Sequence, residues 1–180
     1  MIRIYDKFET LNKISSLINP FSKKWINDDE TNCYAYAIGL DSTREDVYPY
    51  TGLNPGTFSD NCLSNPFTLE DLLSNLENDL HYLGIDYKDV SSDYNLKPGE
   101  WKIAVMITSD FSYDSEMDYH FLRQTKNGIW YHKMGLFHSP TMLDSRGNPI
   151  KNPETSIIET NGLFTSTKYD YKKTLCLRKK

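Results

Sequence analysis

The sequence has little cysteine and no long apolar run. Three cysteines in 180 residues, far apart in the chain, do not form a disulfide framework, so we expect a reducing compartment. The first residues mix apolar with charged side chains and show no recognisable export signal, which predicts a cytoplasmic protein and leaves export by another route open. No segment approaches the roughly 20 apolar residues that cross a bilayer, so no membrane partner is expected.

Positive charge is also scarce. The chain has 20 Lys and Arg against 25 Asp and Glu, which gives a formal net charge of -5. Such a balance offers little attraction to a phosphate backbone, so we expect no nucleic-acid partner. No two cysteines or histidines stand at the spacing of zinc ligands, and the function inferred below needs neither a metal nor an organic cofactor.

What is abundant is apolar and aromatic side chains. Hydrophobic residues make up 38% of the chain and aromatic residues 13%, which is enough to offset the entropy of folding. The length is too short to divide comfortably into two domains. We therefore predict a single domain spanning residues 1–180, whose oligomeric state the sequence leaves open.

Two longer helices are predicted in the first half, in addition to the short helix at Cys33 described below. Apolar residues recur at helical spacing over about Tyr5–Ile18, and the pattern closes at Asn19-Pro20. A second helix begins after Thr68, which forms a capping box with Asp71, and ends at Gly84. Its apolar stripe consists of Leu69, Leu72, Leu73, Leu76, Leu80 and Leu83.

The second half is predicted to be sheet. Lys102–Thr108 is an apolar run of strand length that we place at the centre of the sheet. Tyr119–Thr125 and Ile129–Met134 alternate and form a hairpin, and Tyr171–Leu177 closes the sheet. Helices followed by strands predict an α+β domain, with N-terminal helices packed on an antiparallel sheet.

Candidate chemistry concentrates at Cys33. The polar run Asp28–Asn32 favours a helix N-terminus, and Tyr34–Ile38 can continue the helix, so Cys33 is expected in its first turn. Unpaired N–H groups there would stabilise a thiolate and later hold an oxyanion. The alternative is that Cys33 is a small buried apolar residue.

A thiol nucleophile requires a base, and His120 at the start of a strand is the candidate. Histidine takes up a proton near neutral pH, and a second polar group can orient its ring. His132, on the partner strand of the hairpin, is the expected orienting residue. Asp118 is an alternative orienting residue, and Asp144 and Asn148 are further candidates for that role.

The register of the hairpin decides whether the two histidines share a face. A two-residue turn would set Arg123 opposite His132 and put His120 on the other face. A three-residue loop, with Gly128 in the left-handed position of a bulge, sets Leu122 opposite His132 instead. Lys-Asn-Gly at 126–128 favours the second register.

Three segments resemble a known family. Asn32-Cys33-Tyr34-Ala35-Tyr36-Ala37, Asp118-Tyr119-His120-Phe121 and Trp130-Tyr131-His132-Lys133 are similar, in order and residue type, to NlpC-type cell-wall peptidases and to poorly characterised bacterial proteins of that type. These peptidases are a circularly permuted branch of the papain-like thiol hydrolases. The resemblance covers roughly Asn32 to Pro153 and implies a papain-like α+β fold.

By this resemblance Cys33 is the nucleophile, His120 the general base and then acid, and His132 the orienting residue. The backbone N–H of Cys33 and the side chain of Asn32 are the oxyanion candidates. The family usually has an Asp-Cys-Ser-Gly-like motif where this chain has Asn32-Cys33-Tyr34-Ala35. The substrate is therefore open between a peptide, a peptidoglycan fragment and a protein amide or isopeptide bond.

Two other functions fit the same residues. One is a non-catalytic peptide-binding module on the same fold, in which the aromatic stretch Val47–Phe58 grips a peptide and Cys33 is inert. The other is a toxin-like deamidase or acyltransferase that uses the same pair. Four remaining residues are interpreted as structural or surface residues: Cys62, His81, His138 and Cys176.

Overall fold

The computed structural model describes residues 18–21, 31–40, 53–61, 63–64, 66–108, 117–124, 126–135, 138–161 and 166–180. The predicted first helix lies outside these ranges except for its last residue, Ile18. That residue forms an isolated antiparallel β-bridge with Leu40.

The described ranges contain two helices. Helix α1, Cys33–Ile38, begins after the N-cap Asn32 and ends at Gly39, whose φ of 85° suits glycine. Helix α2, Leu69–Tyr82, begins with the predicted capping box, in which Thr68 and Asp71 bond each other's backbone N–H. The prediction of this helix and of its cap is confirmed.

Six strands form one antiparallel sheet within the described ranges. In spatial order the path is β1-β6-β2-β3-β4, and β5 pairs with β6 beside this path. Strand β2 is buried along its whole length and is flanked on both sides, as predicted for the run Lys102–Thr108. The strands are β1 Ile85–Val90, β2 Glu100–Thr108, β3 Tyr119–Gln124, β4 Trp130–His132, β5 Ile158–Asn161 and β6 Ser166–Lys179.

The predicted fold class is wrong. The expected papain-like α+β arrangement, with N-terminal helices packed on the sheet, is replaced by a mostly antiparallel sheet, beside which the described ranges carry two helices of 6 and 14 residues. Strands β1 and β5 have no predicted counterpart. In β1 only Ile85 is buried and most of the other side chains are exposed, so the strand lacks the apolar alternation that marks a half-buried one.

The sheet has two buried faces. On one face, Ile103, Val105 and Phe121 pack with α1 and α2 in the main core. On the other face, Ala104 and Leu122 pack in a smaller core with residues of the segments after β4. Neighbouring positions on β2 and β3 therefore contribute to different cores, as the alternation of a strand requires.

The C-terminal half of α1 is tied to the sheet by side chains that donate to its carbonyl groups. Trp101 Nε1 donates to Ala37 O at 3.2 Å, and Arg123 Nη1 donates to Tyr36 O at 3.1 Å. Arg123 Nη2 also donates to Pro20 O. Burial lowers the pKa of Arg123 to about 10. These contacts hold α1 against β2 and β3.

A buried carboxylate holds the other half of α1. Asp79, on α2, accepts from Tyr34 Oη at 2.7 Å, from Gly56 N at 2.7 Å, and from Ser59 N and Oγ at 2.8 and 2.9 Å. Burial raises the pKa of Asp79, and the hydrogen bonds from Tyr34 and Ser59 oppose that shift. One side chain thus joins α1, α2 and the loop at residues 53–61.

Replacing Asp79 tests this junction. Asp79→Ala should lower the free energy of unfolding by about 3 kcal/mol or more, because it leaves several buried donors without an acceptor. Urea unfolding followed by tryptophan fluorescence measures the change. Asn78→Ala, at an exposed neighbouring position on the same helix, should change stability by less than about 0.5 kcal/mol. Equal effects of the two substitutions would contradict the assignment.

Candidate active site

The hairpin β3–β4 has the register that brings the two histidines to one face. Leu122 lies opposite His132, and Arg123 lies opposite Tyr131. Gly128 has a φ of 78°, the left-handed conformation expected of the bulge position. The three-residue loop and the shared face of His120 and His132 are therefore confirmed.

The two rings form a hydrogen-bonded relay. His120 Nε2 lies 2.9 Å from His132 Nδ1, and His132 Nε2 lies 2.9 Å from the carbonyl oxygen of Leu143. A carbonyl only accepts, so Nε2 of His132 carries a hydrogen. Burial lowers the pKa of both rings, that of His120 to well below its usual value.

Neutrality of the rings fixes both tautomers. In neutral His132 the Nδ1 atom is an acceptor, so His120 donates to it from Nε2. Neutral His120 therefore keeps its lone pair on Nδ1 and can accept a proton there. The relay supplies an oriented base, which is the role that the sequence analysis assigns to this pair.

Three residues that support the relay have no counterpart in the sequence analysis. The backbone N and O of His132 pair with Thr141 at 2.9 Å each, which brings the carbonyl of Leu143 to the ring. The ring of Tyr169 lies against His120 with centroids 5.3 Å apart. A hydrogen bond to a backbone carbonyl cannot be predicted from residue types. Tyr169 was not identified because it lies before the predicted start of the last strand.

Cys33 is the first residue of α1 and is 8% exposed. Burial raises the pKa of its thiol to about 12. The backbone N–H of Phe121 favours the thiolate and opposes this shift, and the N–H groups of Tyr34 and of Cys33 itself oppose it more weakly. Burial therefore opposes the expected stabilisation of a thiolate in the resting protein, because loss of water outweighs these donors.

The sulfur of Cys33 reaches the strand that carries the base. The N–H that faces the sulfur belongs to Phe121, which directly follows His120. The next residue, Leu122, pairs with His132 in the β3–β4 hairpin. However, Phe121 belongs to the core of α1, whereas the His120 ring contacts Tyr169 in the other core. Among the described residues, no hydrogen bond joins Cys33 to His120. Proton transfer between them requires a side-chain rotation or an intervening water.

Asn32 has a structural role at this site. Its Oδ1 accepts from Ala35 N at 2.9 Å and caps α1, and its Nδ2 donates to the carbonyl of Leu53. Both ends of the side chain are thus engaged with the backbone. Of the two oxyanion candidates, the backbone N–H of Cys33 is the one that the structure directs toward the sulfur.

The alternative orienting residues form hydrogen bonds with groups other than the His120 ring. Asp118 Oδ2 accepts from Tyr169 Oη at 2.5 Å. Asp144 Oδ1 accepts from the backbone N–H groups of Arg146 and Asn148 at 2.9 and 2.8 Å, as in an ordinary Asx turn. Within the described ranges, His132 is therefore the polar side chain that orients His120.

The other cysteines and histidines form none of the hydrogen bonds described above for Cys33 and the relay. Cys176 is buried in β6, where burial raises the pKa of its thiol to about 11, and Cys62 lies outside the described residues. His81 and His138 are exposed. The part of the chain that the structure describes holds no group of three or more His, Cys, Asp or Glu able to bind a metal, and none of its helices is long and apolar enough to cross a membrane.

The aromatic stretch Val47–Phe58, which would grip a peptide in the alternative binding function, is described only from Leu53 onward. Leu53 and Phe58 are buried in the main core, and Asn54 is exposed. This part of the stretch packs in the same core as α1, and its exposed polar residue, Asn54, lies near the site.

No protein-family model matches the chain, and no curated protein or solved structure is similar to it at a significant level. The resemblance to NlpC-type peptidases, drawn from three segments, therefore stays a prediction. Inference about the function rests on the geometry of Cys33 and the histidine relay.

The raised pKa of Cys33 predicts the pH dependence of its alkylation. In the folded protein the rate with iodoacetamide should be low at neutral pH and keep rising above pH 9, because the thiolate forms only as the pH approaches about 12. In denaturant the same cysteine should titrate near its ordinary pKa of about 8.5. Mass spectrometry of the Cys33 peptide gives both profiles. A plateau below about pH 8 in the folded protein would contradict the burial effect.

Proposed function

We propose that this chain is a cysteine-nucleophile hydrolase of a peptide or related amide bond. Cys33 is the nucleophile, His120 the general base and then acid, and His132 the orienting residue. The observation that carries the proposal is the relay from His120 through His132 to Leu143 O, which leaves Nδ1 of His120 as the proton acceptor on the strand that the thiol approaches.

The first step is attack by a neutral thiol. As Sγ of Cys33 bonds to the carbonyl carbon, its proton passes to Nδ1 of His120, after a side-chain rotation or through an intervening water, and the carbonyl π electrons move to oxygen. The backbone N–H of Cys33 is the donor available to that oxyanion. The developing imidazolium is stabilised through Nε2–H by His132 Nδ1, whose own Nε2–H is held by Leu143 O.

The second step releases the amine. The oxyanion collapses, the C–N bond breaks, and the leaving nitrogen takes the proton from His120, which leaves a thioester on Cys33. Water then attacks the thioester with His120 again as base, and the products are a carboxylic acid and the free thiol. Both steps need no cofactor.

Burial favours this general-base route over a preformed ion pair. The raised pKa of the thiol and the lowered pKa of His120 both favour the neutral pair at pH 7. Proton transfer must then accompany bond formation, as it does for a serine nucleophile. The orientation of the acceptor nitrogen matters more in such a mechanism, and this is what the relay provides.

A second candidate function has one observation in its favour. Because Cys33 is buried and its pKa is raised, a peptide-binding protein with an inert thiol is consistent with the same structure. A deamidase or acyltransferase would share the first step and differ in what leaves or attacks. Activity assays with matched variants separate these possibilities.

The test combines a substrate screen with variants. Peptidoglycan fragments and glutamine-containing proteins are incubated with the protein, and new amines, ammonia and cleavage products are measured. Cys33→Ala should abolish the activity, and His120→Ala should lower kcat by about 100-fold or more, the usual contribution of a general base.

His132→Ala should lower kcat about tenfold to 100-fold and change the pH profile, because the His120 ring loses its fixed tautomer. The exposed residue His138 provides the control, and His138→Ala should leave kcat unchanged. Binding of a peptide without turnover, equal in the parent protein and Cys33→Ala, would favour the binding function instead.

A further inference from the structure

Two consecutive loop residues connect the elements that carry the nucleophile and the base. The carbonyl of Leu53 accepts from Nδ2 of Asn32, the residue before Cys33. Oδ1 of Asn54 accepts from Oη of Tyr119, the residue before His120, at 2.5 Å. We call residues Leu53 and Asn54 the strap.

Hydrogen bonds to the residues that follow the strap in sequence fix its position. Asn54 N donates to Thr57 Oγ1 at 2.9 Å, and Thr57 N donates to Asn54 O at 2.9 Å, which makes a local turn. Directly after it, the backbone N–H groups of Gly56 and Ser59 donate to Asp79. The strap therefore has a fixed position relative to α2.

The two ends of the strap differ in exposure. Leu53 is buried in the main core, whereas Asn54 is exposed. The ring of Tyr119 is half-buried between Phe67 and Phe121, with centroids 6.1 and 5.5 Å away, so its hydroxyl alone reaches Asn54. The exposed hydrogen bond is the weaker end, since water competes for both partners.

We propose that Asn54 and Tyr119 are positioning residues for the reaction proposed above. Their hydrogen bond joins the start of β3 to the strap, which is anchored on the residue before Cys33. It thereby holds the sulfur in its buried position beside Phe121. The catalytic meaning of this inference rests on the proposed function, but its claim about the exposure of Cys33 can be tested without any substrate.

The experiment measures alkylation of Cys33 by iodoacetamide at fixed pH in the folded protein, with Cys176 of the same molecule as the internal reference. Asn54→Ala and Tyr119→Phe should each raise the Cys33 rate about threefold to tenfold, the range expected for loss of one hydrogen bond. Tyr119→Phe keeps the ring against Phe67 and Phe121. The double variant should react no faster than the faster single variant, because both changes break the same bond.

Two further variants sharpen the result. Asn54→Asp keeps an oxygen acceptor for Tyr119 and should restore the parent rate. Ser92→Ala removes a comparable exposed hydrogen bond, from Ser92 Oγ to Glu154 Oε1 at 2.7 Å, and should leave the Cys33 rate unchanged.

Three outcomes would overturn the inference. An unchanged Cys33 rate, or additive effects in the double variant, would show that the bond does not control the thiol. A parallel rise at Cys176 would indicate general loosening of the fold. If Cys33 responds as expected but His120→Ala leaves turnover unchanged, the proposed function fails while the role of the strap in the exposure of Cys33 stands.

Discussion

The arrangement of the site depends on one buried carboxylate. Asp79 has no exposed surface and accepts hydrogen bonds from Tyr34 on α1 and from two backbone N–H groups of the loop at residues 53–61. A carboxylate in a dry interior is costly unless donors surround it, so the burial of Asp79 depends on the donors that the loop and α1 provide. Because Cys33 and the strap adjoin the groups that Asp79 binds, the position of Cys33 depends on the packing of α2.

Burial also determines how the proposed reaction would proceed. Burial moves the pKa of the Cys33 thiol up and that of the His120 imidazole down, so both groups are neutral where a solvent-exposed pair would exchange a proton. The hydrogen bonds that remain are directional: one ring donates to the next, and the last donates to a carbonyl. Orientation of neutral groups takes the place that charge would have in a more hydrated site.

Local signals in the sequence were reliable where a short motif is sufficient. The capping box at Thr68, the central strand after Lys102 and the loop at Gly128 depend on neighbouring residues only, and each is found in the structure. The fold class was not predictable in this way. Strand β1 is a mostly exposed strand at the edge of the sheet, and its pairing with β6 joins distant segments that carry no shared pattern. The low exposure of Cys33 likewise arises from packing that residue types alone do not specify.

The position of β6 has a consequence for synthesis of the chain. This strand follows all other described strands in sequence, yet it lies between β1 and β2 and pairs with both. During translation, β1 and one edge of β2 must therefore remain without their partner until β6 has left the ribosome. Unpaired strand edges are the surfaces through which nascent chains associate, and non-local pairing is slow to form. We expect the sheet to be completed only after β6 has been synthesised, and the edges of β1 and β2 to be open to association in the interval.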